Sequence, residues 1–278
     1  MNLATAKTCR FCGGAMPREP NRFKCPHCRL ANFPEHLGAD KKPDLIRLGD
    51  SKAPKVPRYD VGICNDLFGE GGMARTSVNL IAGEPGAGKT TLLLMLCDWI
   101  LELMPGRDAL YVANEQSSDE LEETARRLKL PHFRRIVVWD TMGGLVRPFD
   151  SVLSEVNPCF GVLDSLTRLI GEQLDQGPQI VEALKYLAVR TLAPWMVIAQ
   201  VNKGGDFAGL NKTLHAGDGL YYMEKDDLTG ERLARSSKNR NGPAPVAVPL
   251  IMMPEGSERP GYLVLDESRT GDEGEDED

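Results

Sequence analysis

The N-terminus has no apolar stretch of the kind that directs secretion, and no window of the 278-residue chain approaches the ~18 apolar residues of a membrane-spanning helix. A signal peptide and a membrane span are therefore not expected, and the expected location is the cytoplasm. A disulfide framework is missing too. Of the seven cysteines, four fall in paired C-x-x-C units and three are scattered, the usage of a reducing compartment. A strong charge on the folded part is the next absence. The formal net charge is −7, but the last seven residues, Asp272 to Asp278, carry six acids, which leaves −1 for the remainder. A nucleic-acid surface, if present, must then be a local patch. Apolar content of 41% suffices for a core, and the length suits one good-sized domain with appendages.

What the chain does have is a stretch around which the rest is organised. Gly83-Glu84-Pro85-Gly86-Ala87-Gly88-Lys89-Thr90-Thr91 reads G-x-x-x-x-G-K-T, a phosphate-binding loop. Val78-Asn79-Leu80-Ile81-Ala82 before it has strand length. After it, Leu93, Leu96, Cys97, Ile100, Leu101 and Met104 recur at helical spacing. The motif thus lies between a strand and a helix N-terminus. There, curled backbone N–H groups and the helix dipole favour phosphate oxygens. Lys89 is expected at the β and γ phosphates of ATP, and the Thr90 hydroxyl on Mg²⁺.

Ahead of this region, Cys9-Arg10-Phe11-Cys12 and Cys25-Pro26-His27-Cys28 stand twelve residues apart. Two such knuckles fit a tetrahedral Zn²⁺ site in which Cys9, Cys12, Cys25 and Cys28 complete the shell and His27 is a bystander. So small a unit needs the metal to fold. Four unrelated thiols are the alternative. Residues 29–57, rich in proline, lysine and aspartate, read as a linker. The expected layout is a four-cysteine zinc finger at 1–30, a linker at 31–57, an ATPase domain at 58–267 and a disordered acidic tail at 268–278.

Within the domain, Ala109-Leu110-Tyr111-Val112-Ala113 reads as a buried strand next to the P-loop, ending at Asn114-Glu115. A carboxylate there faces the nucleotide crevice, so Glu115 is a candidate to activate the attacking water; a helix-cap or solvent-facing acid is the alternative. Ser117-x-x-Glu120 is a capping box opening a helix that runs to about Leu128. Ile136 to Trp139 is a further strand candidate. Phe160-Gly161-Val162-Leu163-Asp164-Ser165 ends in the acid expected to hold Mg²⁺. Residues 168–178 read as a loop, with Arg168 a candidate DNA contact. Ile180, Ala183, Leu184, Leu187 and Ala188 then mark a helix face, and Trp195 to Gln200 a fifth strand. Gln200 either senses the γ-phosphate or is an ordinary polar strand end.

Asn202 to Lys212 is expected to be a loop carrying Lys203 and Lys212, suited to a nucleic-acid backbone or simply flexible. Four short strands near 219–223, 232–236, 246–252 and 262–265 read as an antiparallel extension of the sheet. Between them Ser237-Lys238-Asn239-Arg240-Asn241-Gly242 is expected to be a turn whose two cations are either solvated or reach a neighbouring subunit's nucleotide. Neither the lid domain nor the acceptor pocket of a small-molecule kinase is evident.

Several of these landmarks coincide. The four-cysteine finger and the glycine-rich lead-in to Gly83–Thr91 come first, then Leu92-Leu93-Leu94, Tyr111-Val112 before Glu115, and Leu163-Asp164-Ser165. Lys203-Gly204-Gly205 with Ala208-Gly209 and Lys238-Asn239-Arg240 complete the set. Over residues 9–265 the chain resembles the RadA (Sms) family of RecA-superfamily DNA repair ATPases. That resemblance implies an α/β fold with a RecA-like P-loop core: a mostly parallel sheet with an antiparallel C-terminal extension, plus the small zinc finger. It implies a hexameric ring on single-stranded or branched DNA that drives branch migration, with a recombinase or replication protein as a partner. Lys89, Thr90, Asp164 and Glu115 would form the ATPase site. Lys238 and Arg240 would complete a neighbour's site, and Lys203 to Lys212 would lie on DNA. The family's Lon-protease-like C-terminal domain is expected to be missing after Asp278. Gln200 stands where the family has His, as in DnaB-like replicative helicases, which suggests a phage or mobile-element form. A recombination mediator and a KaiC-like regulatory ATPase are the other readings.

Overall fold

Buried parallel strands need apolar residues on both faces, and this chain supplies them in runs rather than in alternation. The structure is a computed structural model that describes residues 56–141, 149–171, 173, 176–199 and 211–269. The expectations about Cys9, Cys12, Cys25, Cys28, Gln200, Lys203 and all but the first two residues of the acidic tail lie outside the described residues.

A short ribbon opens the described part, Arg58–Tyr59 (β1) paired with Met73–Ala74 (β2), with helix α1 at Asn65–Phe68 between them. The main elements follow in alternation: Val78–Gly83 (β3), Lys89–Leu103 (α2), Ala109–Ala113 (β4), Ser118–Arg127 (α3), Ile136–Asp140 (β5), Phe149–Val156 (α4), Phe160–Asp164 (β6), Leu166–Ile170 (α5), Gly177–Thr191 (α6) and Trp195–Ile198 (β7). Asn211–Ala216 (α7) then leads to Gly219–Lys225 (β8), Arg232–Asn239 (β9), Val246–Met252 (β10) and Leu263–Leu265 (β11). Nine strands form one sheet in the order β11-β10-β9-β8-β3-β7-β6-β4-β5. The six strands β8-β3-β7-β6-β4-β5 pair in parallel, and from β8 to β11 the pairing is antiparallel.

The strand side chains divide between two cores. In β4, Tyr111 and its neighbours two residues away face one core with Leu93, Leu96 and Ile100 of α2, while Leu110 and Val112 face the other with Leu184 and Ala188 of α6. The same split puts Met196 and Ile198 of β7 on the α2 side and Trp195 and Val197 on the α6 side. Trp195 is fully buried, and its ring occupies the space over Gly161 that any side chain there would need. The capping box forms as the spacing predicts: Ser117 Oγ accepts from the Glu120 N–H, and Glu120 accepts from the Ser117 N–H at 2.7 Å.

Four expectations need correction. β4 does not lie beside the P-loop strand, because β7 and β6 stand between it and β3. Residues 168–178 are not a single loop. Arg168 is helical because Ser165 caps α5 by accepting the Arg168 N–H, and α6 starts at Gly177 with proline in its first turn. Lys212 belongs to α7 rather than to a loop. Lys238 lies inside β9, which runs on to Asn239 because it pairs with β8 as far as Gly219, so the turn begins only at Arg240.

Candidate functional site

The P-loop is built from two close approaches. Gly83 ends β3 at φ 147°, and a side chain there would strike the Met223 carbonyl of β8. Gly88, at φ 101°, is the N-cap of α2, and the space beside it is filled by Met223 and Arg232. Lys89 begins the helix. Its ammonium donates to the carbonyls of Gly83 and Glu84, 2.7 Å each, and so crosses the mouth of its own loop. Burial lowers the Lys89 pKa, against the pull of Asp164, Glu115 and Glu84.

Opposite the loop, the carboxyl ends of β4 and β6 are tied together by side chains. Asn114, nearly fully buried, donates from Nδ2 to the Ser165 carbonyl at 2.9 Å and accepts the Ser165 N–H on Oδ1 at 2.7 Å. Its own N–H donates to the Asp164 carbonyl at 2.8 Å. This amide clamp fixes Ser165, whose hydroxyl donates to Glu115 Oε1. Glu115 therefore reaches the crevice from a strand three places away from β3. Asp164 is 4% exposed and accepts from the Tyr111 hydroxyl at 2.6 Å. Desolvation pushes its pKa up to about 6, with Tyr111 and Lys89 opposing and nearby Glu115 adding to the rise. Thr90 stands close enough to the same Tyr111 hydroxyl to act on its ionisation, against the rise that burial causes.

These groups surround a cavity of about 830 Å³. One wall is the loop itself: Gly83, Pro85, Gly86 and Gly88 with Lys89, Thr90 and Thr91. Another holds Glu115, Asp164, Thr167 and Arg168. A third carries Gln116, Thr124 and Arg127, and the remainder includes Arg232 and Met252. Glu84 is exposed and Ala87 buried beneath the loop. Arg168 is thus a cavity-lining residue. Lys212 is exposed on α7. Lys238 and Arg240 lie elsewhere: Lys238 Nζ donates to three carbonyls at the end of α7, and Arg240 pairs with Asp218 at 3.5 Å. Tyr111, Ser165 and Arg232 escape a reading of the chain alone. Only Ser165, next to an acid at a strand end, carries a local signal.

The donor set suits a hydrated divalent cation. Thr90, in the first turn of α2, and Asp164 line the same cavity, and a desolvated carboxylate with a second acid beside it gains from a cation.

A glycine-rich loop between a buried parallel strand and a helix, facing two acids at neighbouring strand ends, defines a P-loop nucleotide-binding protein. The chain belongs to the AAA domain family, whose profile matches residues 64–206, and it is RadA-like in sequence. It is 29% identical over 255 residues to the DNA repair protein RadA of Pseudomonas aeruginosa, covering 84% of this chain and 54% of that one. Against the RadA of Bacillus subtilis it is 26% identical over 294 residues, covering 96% and 62%. The chain spans about half the length of the curated relatives it matches. The fold is RecA-like. A KaiC-like protein from Pyrococcus horikoshii superposes with a TM-score of 0.60 at 16% identity, covering 76% of this chain and 99% of that one. The RadB recombinase superposes at 0.54 with 18% identity, covering 70% and 96%.

Proposed function

We propose that this protein is an ATP-dependent DNA motor that binds single-stranded or branched DNA and couples ATP hydrolysis to branch migration or unwinding in recombination, repair or replication. One observation carries the hydrolytic part: Ser165 holds the Glu115 carboxylate beside Asp164 and Lys89 at the mouth of the P-loop. Similarity to DNA repair proteins directs the reading to DNA.

In this reading Lys89 exchanges its two carbonyl acceptors for β- and γ-phosphate oxygens. The backbone of Gly83, Glu84, Pro85, Gly86, Ala87 and Gly88 curls round the phosphates, with Thr91 behind Thr90. Thr90 and Asp164 hold Mg²⁺, which supplies charge neutralisation at the phosphates. Glu115 takes the proton of the attacking water, and Ser165 keeps its carboxylate aimed. Lys238 and Arg240 do not line the cavity of their own chain. Their place outside it supports a role at a neighbour's nucleotide, and the resemblance adds to that reading an active form that is a homo-oligomeric, six-membered ring.

Gln200 senses the γ-phosphate, and Lys203 and Lys212 contact the DNA backbone. Zn²⁺ on Cys9, Cys12, Cys25 and Cys28 folds residues 1–30. Residues 31–57 link that finger to the ATPase domain at 58–267, and 268–278 form the acidic tail. A recombinase or replication protein is the expected protein partner.

The glutamine at position 200 favours a second reading, a phage or mobile-element replicative helicase of the DnaB kind. The test is ATP hydrolysis with and without single-stranded DNA, in the parent, Lys89→Ala and Lys203→Ala. A motor gives DNA-stimulated turnover that Lys89→Ala abolishes and that loses only its stimulation in Lys203→Ala. Turnover indifferent to DNA, with no DNA binding, would sink the motor and leave a regulatory ATPase. Fork unwinding without branch migration would select the replicative reading.

A further inference from the structure

Arg232 opens β9, in the antiparallel half of the sheet, yet its side chain lies on the P-loop. Its Nε and Cδ stand 3.5 and 3.6 Å from where a side chain on Gly88 would begin, and it lines the same cavity as Lys89 and Asp164. One arm of the guanidinium is anchored, Nη1 donating to the Gly230 carbonyl at 2.5 Å. The Nε–H is buried and has no acceptor among the described residues. A desolvated N–H of a charged group does not stay unpaired without a reason, and here the adjoining space is an anion-binding loop.

The sheet order says which end of the nucleotide it meets. Asp164 ends β6, which lies two strands from β3 on one side; Arg232 begins β9, two strands away on the other. At ordinary strand spacing each is roughly 10 Å from the P-loop strand. The acids mark the γ-phosphate and metal end. Arg232 is therefore on the nucleoside side of the loop.

Resting on the reading of this cavity as a nucleotide site, we infer that Arg232 is a second phosphate-binding cation supplied in cis. Its free Nε–H donates to an oxygen of the phosphates that ADP and ATP share, not to the γ-phosphate. It is a binding residue that retains ADP after turnover as firmly as it retains ATP before. A fork-shaped guanidinium suits this role because one arm stays on Gly230 while another meets the ligand.

The experiment titrates fluorescent ADP and ATP, with Mg²⁺, against the full chain, Arg232→Gln and Arg232→Lys. The expected result is a Kd raised about tenfold in Arg232→Gln by the same factor for both nucleotides, with partial recovery in Arg232→Lys. The nucleotide-free melting temperature is expected to stay put, which separates this role from a structural one. Parent-like affinity of Arg232→Gln for both nucleotides overturns the inference, as does a loss confined to ATP. A parent that binds neither nucleotide removes the underlying reading as well.

Discussion

Lys238 Nζ donates a 2.6 Å hydrogen bond to the carbonyl oxygen of Gly217. The same ammonium reaches the carbonyls of His215 at 2.9 Å and Leu214 at 3.4 Å, so it caps the negative end of α7. A lysine engaged in this way cannot at the same moment serve a neighbour's nucleotide. If it moves to one, α7 loses its cap, and α7 directly follows the segment that carries Lys203.

Removing that cap has a local readout. Lys238→Ala is expected to raise amide exchange in Asn211–Ala216 and to lower stability by about 1 kcal/mol. Hydrogen-exchange mass spectrometry on the nucleotide-free protein checks it; unchanged protection of that peptide would show that the cap contributes nothing.

The link from Ser165 to Glu115 predicts a graded series. Glu115→Gln is expected to bind ATP with near-parent affinity while turnover falls about 10²-fold or more. Ser165→Ala leaves the carboxylate present but less well aimed, and a fall of about tenfold in kcat with KM little changed is expected. Steady-state hydrolysis checks both, and equal losses in the two variants would assign Ser165 a larger role than aiming.

Gly161 is dictated by Trp195. A Cβ at 161 would lie 2.4 Å from the Trp195 ring atoms, which are fully buried. Gly161→Ala is expected to destabilise the protein by about 1–3 kcal/mol. In the Trp195→Phe background the added cost shrinks, because the smaller ring leaves room. Denaturant unfolding of the double-mutant cycle is the check, and strictly additive effects would refute the clash.

Asp98 predicts a pH dependence. It is buried in α2 and accepts the His132 backbone N–H at 2.8 Å. Burial raises its pKa above 3.8, with that N–H, His132 and Arg259 pulling the other way. A carboxyl whose pKa is raised on folding stabilises the fold while protonated. That contribution is lost as pH climbs from the unfolded pKa through the folded one. Asp98→Asn keeps an acceptor and removes the titration. Its melting temperature relative to the parent is therefore expected to rise as pH climbs above about 4. A flat difference over that range would contradict the assignment.

Much of the site is legible in the chain because its chemistry is local. The P-loop glycines, Lys89 and Thr90 fall within eight successive positions, 83 to 90, and Asp164 terminates an apolar run. The Ser117–Glu120 box forms within a single helical turn. Arg232 is different. It is 144 residues from Gly88 in sequence, and no spacing rule connects them. Arg168 reads as part of a polar loop because the cap that makes it helical, Ser165, is itself held by Asn114, 51 residues earlier.

The sequence by itself determined the alternation of strand and helix, the phosphate loop and the acids at strand ends, since periodicity, capping and loop chemistry act over a few residues. Only the tertiary structure decided that β7 and β6 stand between β3 and β4, that Arg232 lies on the P-loop, and that Lys238 caps α7 instead of facing solvent. Which strands pair is settled by burying all the apolar faces at once. That global condition leaves no mark at any single position.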